Sequence, residues 1–140
     1  MVRISDEQVL ELLEENGRVP AARMAEKLGV TETAIRKRMR KLETKGIIQQ
    51  YTIRVDPKKL GKEVIAMVGI DTTPESYMKI VEDMGKRPEV KAGYTVSGDH
   101  MIQLECWFEN SEKFKEFMQE LEDMKGITRL CPGLVLEKFK

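Results

Sequence analysis

Residues 30–46 read VTETAIRKRMRKLETKG, in which five of the six residues from Arg36 to Lys41 are cationic and Met39 is the exception. A helix advances about 100° per residue, so with Ile35 at zero Met39 falls near ~40° and Leu42 near ~340°. Those three form one narrow apolar stripe. On the same wheel Thr33, Lys37, Arg40 and Thr44 fall at roughly 160°, 200°, 140° and 180°, opposite the stripe, with Arg36 and Lys41 beside them. Thr31 is placed to accept from the free N–H groups that open the helix, and Gly46 to end it after about Lys45. The spacing predicts a helix whose inner side packs and whose outer ridge carries cations and hydroxyls.

The preceding residues supply what the stripe would pack on. Ser5 followed by Gln8 has the form of a capping box, and Val9, Leu10, Leu12 and Leu13 recur on one helical face until Asn16-Gly17. Pro20 suits the first turn of a second helix, whose Ala21, Met24, Ala25 and Leu28 follow i, i+3, i+4, i+7 spacing before Gly29. Helix, helix, glycine-containing turn, helix is the helix-turn-helix pattern, and we take residues 1–46 as that domain. Ile47 to Val55 is β-branched and alternating, and Asp56-Pro57 and Leu60-Gly61 mark a turn and an exit. Residues 47–61 are read as a hinge strand and linker.

Residues 62–140 alternate between strand and helix patterns. Val64 to Ile70 is a nearly continuous apolar run, Thr73-Pro74 reads as a helix start, and Tyr77, Ile80, Val81 and Met84 make one face closed by Gly85. Val90, Ala92, Tyr94 and Val96 alternate with polar or small residues; after Gly98-Asp99, Ile102, Leu104, Cys106 and Phe108 alternate with Met101, Gln103, Glu105 and Trp107. Asn110-Ser111 opens a helix with Phe114, Phe117, Met118 and Leu121 inward, and Ile127 to Phe139 reads as a last strand interrupted by Pro132-Gly133. A shift of 37 residues superposes Tyr77 on Phe114, Ile80 on Phe117, Val81 on Met118 and Met84 on Leu121. The order is βαββαβ, two related halves that predict an α+β, ferredoxin-like layer with both helices on one sheet face. The other face, with Gln103, Glu105, Trp107, Met101, the neighbours of Tyr94 and alternate positions of the first strand, is expected to pair two copies of the chain.

Composition narrows the function. The 140 residues carry 24 basic and 24 acidic side chains, but residues 1–60 hold 13 basic against 9 acidic and residues 61–140 hold 11 against 15. Such a split suggests one half that faces a polyanion. The longest uncharged apolar stretch is too short for a membrane span, and Arg3, Asp6 and Glu7 interrupt any signal-peptide core, so the expected compartment is the cytoplasm. Cys106 and Cys131 lack CxxC spacing and His100 is the single histidine, which argues against a metal, and no cofactor is expected. No Ser or Cys nucleophile with a base and an orienting acid is identifiable, so no catalytic residue is assigned.

The stretch VTETAIRKRMRKLETKGIIQQYTIRVDPKKLG (Val30 to Gly61) together with SGDHM (Ser97 to Met101) resembles the Lrp/AsnC (leucine-responsive, feast/famine) family of transcription regulators, most closely its archaeal LrpA-type members. The resemblance spans essentially the whole chain. It implies an N-terminal winged helix-turn-helix, a hinge strand, and a C-terminal RAM domain of αβ-sandwich form that dimerises and assembles dimers into octamers. It also implies an amino-acid effector bound between dimers near the Gly-Asp turn, here Gly98, Asp99, His100 and Met101. The family turn is commonly Gly-Asp-x-Asp; Met101 stands where the second carboxylate would be, and a thioether cannot accept from an ammonium group as a carboxylate does. The plain requirement of a hairpin for Gly-Asp explains the same residues.

The expectation is a DNA-binding regulator and not an enzyme: a repressor of promoters, its own among them, that reads palindromic double-stranded DNA as a dimer or larger assembly. Thr31, Glu32, Thr33, Arg36, Lys37, Arg40, Lys41 and Thr44 are the expected DNA contacts. Arginine can fork onto guanine O6 and N7, lysine and threonine can take phosphates or base edges, and Glu32 can accept from cytosine N4. The competing reading is a small-molecule-binding or enzymatic ferredoxin-like domain with an accessory helix-turn-helix, which leaves the basic helix unexplained.

Overall fold

Ser5 opens the first helix reciprocally: Gln8 N donates to Ser5 Oγ at 3.2 Å, and Ser5 N donates to Gln8 Oε1 at 2.9 Å. The structure, a computed structural model, describes residues 3–140 and falls into two units that divide between Val55 and Asp56. In the first, α1 (Asp6–Glu15), α2 (Ala21–Leu28) and α3 (Glu32–Thr44) enclose Val9, Met24, Ala25, Ile35 and Leu42. Ile35 is 0% exposed and Leu42 1%, with Met39 packed beside them, so the predicted stripe faces inward. Gly29 ends α2 at φ 67°, a left-handed conformation that costs glycine nothing and lets its N–H turn back to Ala25 O. Thr31 then starts α3, its Oγ1 accepting from Ala34 N at 3.1 Å.

The strand expected over residues 47–55 is not formed, and the three helices carry no β-wing among the described residues. A strand is defined by the partner that accepts its ladder bonds, and no other described segment pairs with this one. Its first residues instead fold back on α3, Ile47 N and Ile48 N both donating to Leu42 O. Ile53 is left 80% exposed.

In the second unit a short 3₁₀ turn at Lys58–Leu60 precedes β1 (Val64–Thr72), α4 (Tyr77–Gly85), β2 (Val90–Thr95), β3 (Ile102–Phe108), α5 (Ser111–Glu122) and β4 (Ile127–Leu134). The strands lie in the order β2-β3-β1-β4, all neighbours antiparallel, which is the expected ferredoxin-like arrangement. Ala66, Val68 and Ile70 of β1 and Ile102, Leu104, Cys106 and Phe108 of β3 pack on Ile80 and Met84 of α4 and Phe117 and Leu121 of α5. Burial in that layer pushes the Cys106 thiol up to about 12. The single open sheet face carries Met67, Gly69 and Asp71 of β1 opposite Glu105, Gln103 and Arg129.

Three details depart from the sequence reading. Helix α4 begins at Tyr77 because residues 74–76 form a turn, in which Ser76 N bonds Thr73 O and Thr73 N bonds Gly126 O. Strand β4 continues through Pro132-Gly133 to Leu134 and stops there, since an edge strand can spare the N–H that proline lacks. A bulge at Lys91 shifts the register of β2, so Val90 pairs with buried Cys106 while Ala92 and Tyr94 pair with Glu105 and Gln103. Tyr94 itself, rather than its neighbours, therefore lies on the open face.

Replacing Ile35 by alanine removes a side chain that nothing else can refill, and should cost 2–5 kcal/mol, taking the spread of about that size for buried large-to-small changes. Arg40→Ala, on the outer ridge, should stay within about 0.5 kcal/mol. Urea unfolding followed by helical circular dichroism distinguishes the two.

Candidate nucleic-acid interface and ligand turn

All eight residues expected to contact DNA are exposed, Thr31 as the cap of α3 and Glu32, Thr33, Arg36, Lys37, Arg40, Lys41 and Thr44 on the helix itself. Their states differ. Arg36 is ion-paired to Glu32 one turn earlier, and Thr31 is occupied as the helix cap with its hydroxyl proton still available to donate. Thr33, Lys37, Arg40, Lys41 and Thr44 make no side-chain hydrogen bond or ion pair among the described residues. Arg38, the remaining cation of the run, is turned aside: its Nη1 meets Asp6 Oδ1 at 2.7 Å and ties α3 to α1. That hydrogen bond holds the Asp6 carboxyl below its ordinary range, helped by the charges of Arg38, Lys45 and Lys41.

The ridge is thus a row of unpaired cations beside hydroxyls on a helix that rests on two others. Such a helix fits a major groove of roughly 12 Å width. Glu32 gives Oε1 to Arg36 and keeps Oε2 without a hydrogen bond among the described residues.

The turn of residues 98–101 is more closely held than the sequence indicated. Gly98 has φ 110°, which favours glycine. Arg129 of β4 reaches back across the open face: its Nε lies 2.9 Å from Asp71 Oδ2, and its Nη2 lies 3.0 Å from Asp99 Oδ2 and donates to Asp99 O at 2.9 Å. The same Nη2 is 3.0 Å from His100 Nδ1. The His100 ring is flanked by both acids as well, its Nδ1 lying 3.6 Å from Asp71 Oδ2 and its Nε2 3.4 Å from Asp99 Oδ2. Asp71 Oδ1 accepts from Met101 N at 3.0 Å, and Thr72 N lies 3.4 Å from Met101 Sδ. A second carboxylate therefore does stand at the turn, supplied by β1. Arg129 holds the Asp99 carboxyl below its ordinary range, chiefly through their hydrogen bond.

Asp71 and Arg129 were absent from the sequence reading. They lie far apart along the chain and face each other only because β1 and β4 pair Asp71 with Arg129. Gly69 belongs with them, since the His100 ring sits where a Cβ on Gly69 would be.

Comparison with known proteins decides the family. Residues 5–43 match the AsnC-type helix-turn-helix domain and residues 65–140 the Lrp/AsnC ligand binding domain. The chain belongs to the Lrp/AsnC family. The HTH-type transcriptional regulator LrpA of Pyrococcus horikoshii is 40% identical over 141 aligned positions that cover all of both chains. LrpA1 of Halobacterium salinarum is 34% identical over 97% of this chain and 96% of its own. Among solved structures, AsnC of Escherichia coli superposes with a TM-score of 0.86 at 25% identity, covering 99% of this chain and 95% of that one. A transcriptional regulator from Neisseria meningitidis, solved as a complex with L-Met, shares the fold with a TM-score of 0.91 at 22% identity, covering 100% and 93%. This Lrp/AsnC protein is thus a transcriptional regulator with a DNA-binding and a ligand-binding domain, and not an enzyme. Among the described residues no helix is long and apolar enough to cross a membrane.

Two outcomes are expected. Because Asp6 titrates below its ordinary value when folded, its pairing with Arg38 adds stability that is complete above about pH 4. That contribution is lost as acid protonates the folded carboxyl. Melting temperatures measured downward from neutral pH should fall more steeply for the native protein than for Asp6→Asn. Gly69→Ala should evict the imidazole and cost about 1–3 kcal/mol by overpacking; as His100 is the single histidine, its ring resonances report the displacement directly.

Proposed function

We propose that this regulator lays α3 in the major groove of promoter DNA and represses by occupying the site, its own promoter included. The observation that carries the reading is the opposition of buried Ile35 and Leu42 to the unpaired Lys37, Arg40 and Lys41 on one helix. Arg40 and Arg36 would read base edges, Lys37, Lys41 and the threonines Thr31, Thr33 and Thr44 would hold phosphates, and Glu32 would accept from cytosine through its free oxygen. Residues 1–46 act as the DNA-binding domain, 47–61 as hinge and linker, and 62–140 as the domain for assembly and effector binding.

Two copies joined through the open sheet face would present recognition helices to half-sites roughly 34 Å apart on palindromic DNA. Exposed Tyr94 and half-buried Met67 and Trp107 on that face support pairing there, and pairs of this kind assemble further to an octamer. An amino-acid effector would bind at Gly98, Asp99, His100 and Met101; the complex of the Neisseria relative with L-Met supports that ligand class. The protein would act where its DNA lies, in the cytoplasm.

Binding to promoter fragments should weaken steeply with salt. If a dimer neutralises about six phosphates, log K falls against log salt with a slope near −5, and a flat dependence between low and moderate salt removes the proposal. Arg40→Ala should cost about 1–3 kcal/mol on the specific site and leave random DNA almost untouched. An equal loss on both would reassign Arg40 to phosphate positioning.

A further inference from the structure

The guanidinium of Arg129 is only partly consumed by the protein. Its Nε is directed at Asp71 and its Nη2 at Asp99 and His100, while Nη1 makes no hydrogen bond among the described residues. The partner acid is in the same condition: Asp99 gives Oδ2 to Arg129, leaves Oδ1 without a hydrogen bond, and its side chain is 79% exposed. One donor position with a positive charge and one acceptor position with a negative charge thus stand side by side at the mouth of the turn. Both are held in place from below, since Asp71 takes Arg129 Nε with one oxygen and Met101 N with the other.

An α-amino acid at neutral pH carries those two complements, a carboxylate and an ammonium separated by a single carbon. We propose that Arg129 is a ligand-binding residue of this protein: it takes the effector's α-carboxylate through its uncommitted edge while Asp99 takes the ammonium. This rests on the reading that the turn binds an amino acid. It answers the replacement of a second turn carboxylate by Met101. The charge that the turn sequence lacks is not needed to hold the ammonium, because Asp99 does so, and the carboxylate-binding cation comes from another strand. Asp71 is a positioning residue that aims the guanidinium and touches no ligand.

The arrangement also sets a selection rule. A ligand with only an amine would leave the free Nη1 donors of Arg129 without an acceptor, and one with only an acid would face Asp99 as a like charge. Arginine serves better than lysine here because its planar fork can keep Asp71, Asp99 and a ligand carboxylate at once, which a single ammonium cannot do.

The test is isothermal calorimetry on the full chain with the twenty L-amino acids, each also supplied as its α-carboxamide, on native protein, Arg129→Gln and Arg129→Lys. Thermal melts confirm that each variant folds. Support requires that at least one amino acid binds the native protein and binds Arg129→Gln on the order of tenfold or more weakly, as expected for loss of a charge-assisted pair. Its carboxamide should bind the native protein and Arg129→Gln alike, and Arg129→Lys should recover only part of the loss. If an amino acid binds Arg129→Gln as tightly as native protein, the role of Arg129 is overturned while the effector reading stands. If acid and carboxamide weaken equally, Arg129 merely braces the turn and the proposal is again overturned. Absence of heat with every amino acid at millimolar concentration overturns the effector reading and this inference together. Should Arg129→Gln not fold, Arg129→Lys carries the same comparison.

Discussion

The burial of Ile35 and Leu42 between α1 and α2 is the interaction on which the rest of the DNA-binding unit depends. Each such side chain contributes about 1.5–3 kcal/mol by leaving water. Rotating α3 by half a turn would expose both and place Lys37 and Arg40 in the three-helix core without partners, at several kcal/mol per ion by common estimates. No surface ion pair approaches that difference. The direction in which the cationic ridge points is therefore a consequence of apolar packing, and the charges themselves have little part in choosing it.

Within that orientation the cations divide their labour. Arg38 is spent on Asp6, where it joins α3 to α1, and Arg36 is paired along the helix with Glu32. Lys37, Arg40 and Lys41 remain without partners among the described residues. A helix whose every cation was internally matched would present a neutral face to DNA; one with none matched would lack the brace to α1. The observed mixture gives a firm support and an unbalanced outer edge, which is what long-range attraction to phosphate requires.

The ligand-binding unit follows a similar logic with a different driving force. Two helices cover one face of the sheet and leave the other open, and the open face collects the residues that cross-strand pairing sets opposite one another. The bulge at Lys91 sends Tyr94 to that face, and the β1–β4 register sets Arg129 beside Asp71. Gly69 leaves room for the His100 ring, so a missing side chain on one strand seats one from the turn.

The helical part of the protein was readable because helical periodicity is local. Ser5 with Gln8, Thr31, Gly29, and the stripe of Ile35, Met39 and Leu42 each state their role within a few residues, and the outward positions of Thr33, Lys37, Arg40 and Thr44 follow by angle alone. The βαββαβ order was readable for the same reason, from alternation and the repeat of apolar positions. The use of Arg38, the irregular path of residues 47–55, the bulge in β2 and the Asp71–Arg129–His100 cluster were decided only by tertiary structure. Each depends on what a residue meets from a distant part of the chain. A strand needs a partner that its own sequence does not name, and an arginine is bound or available according to which acid the pairing of remote strands brings to it.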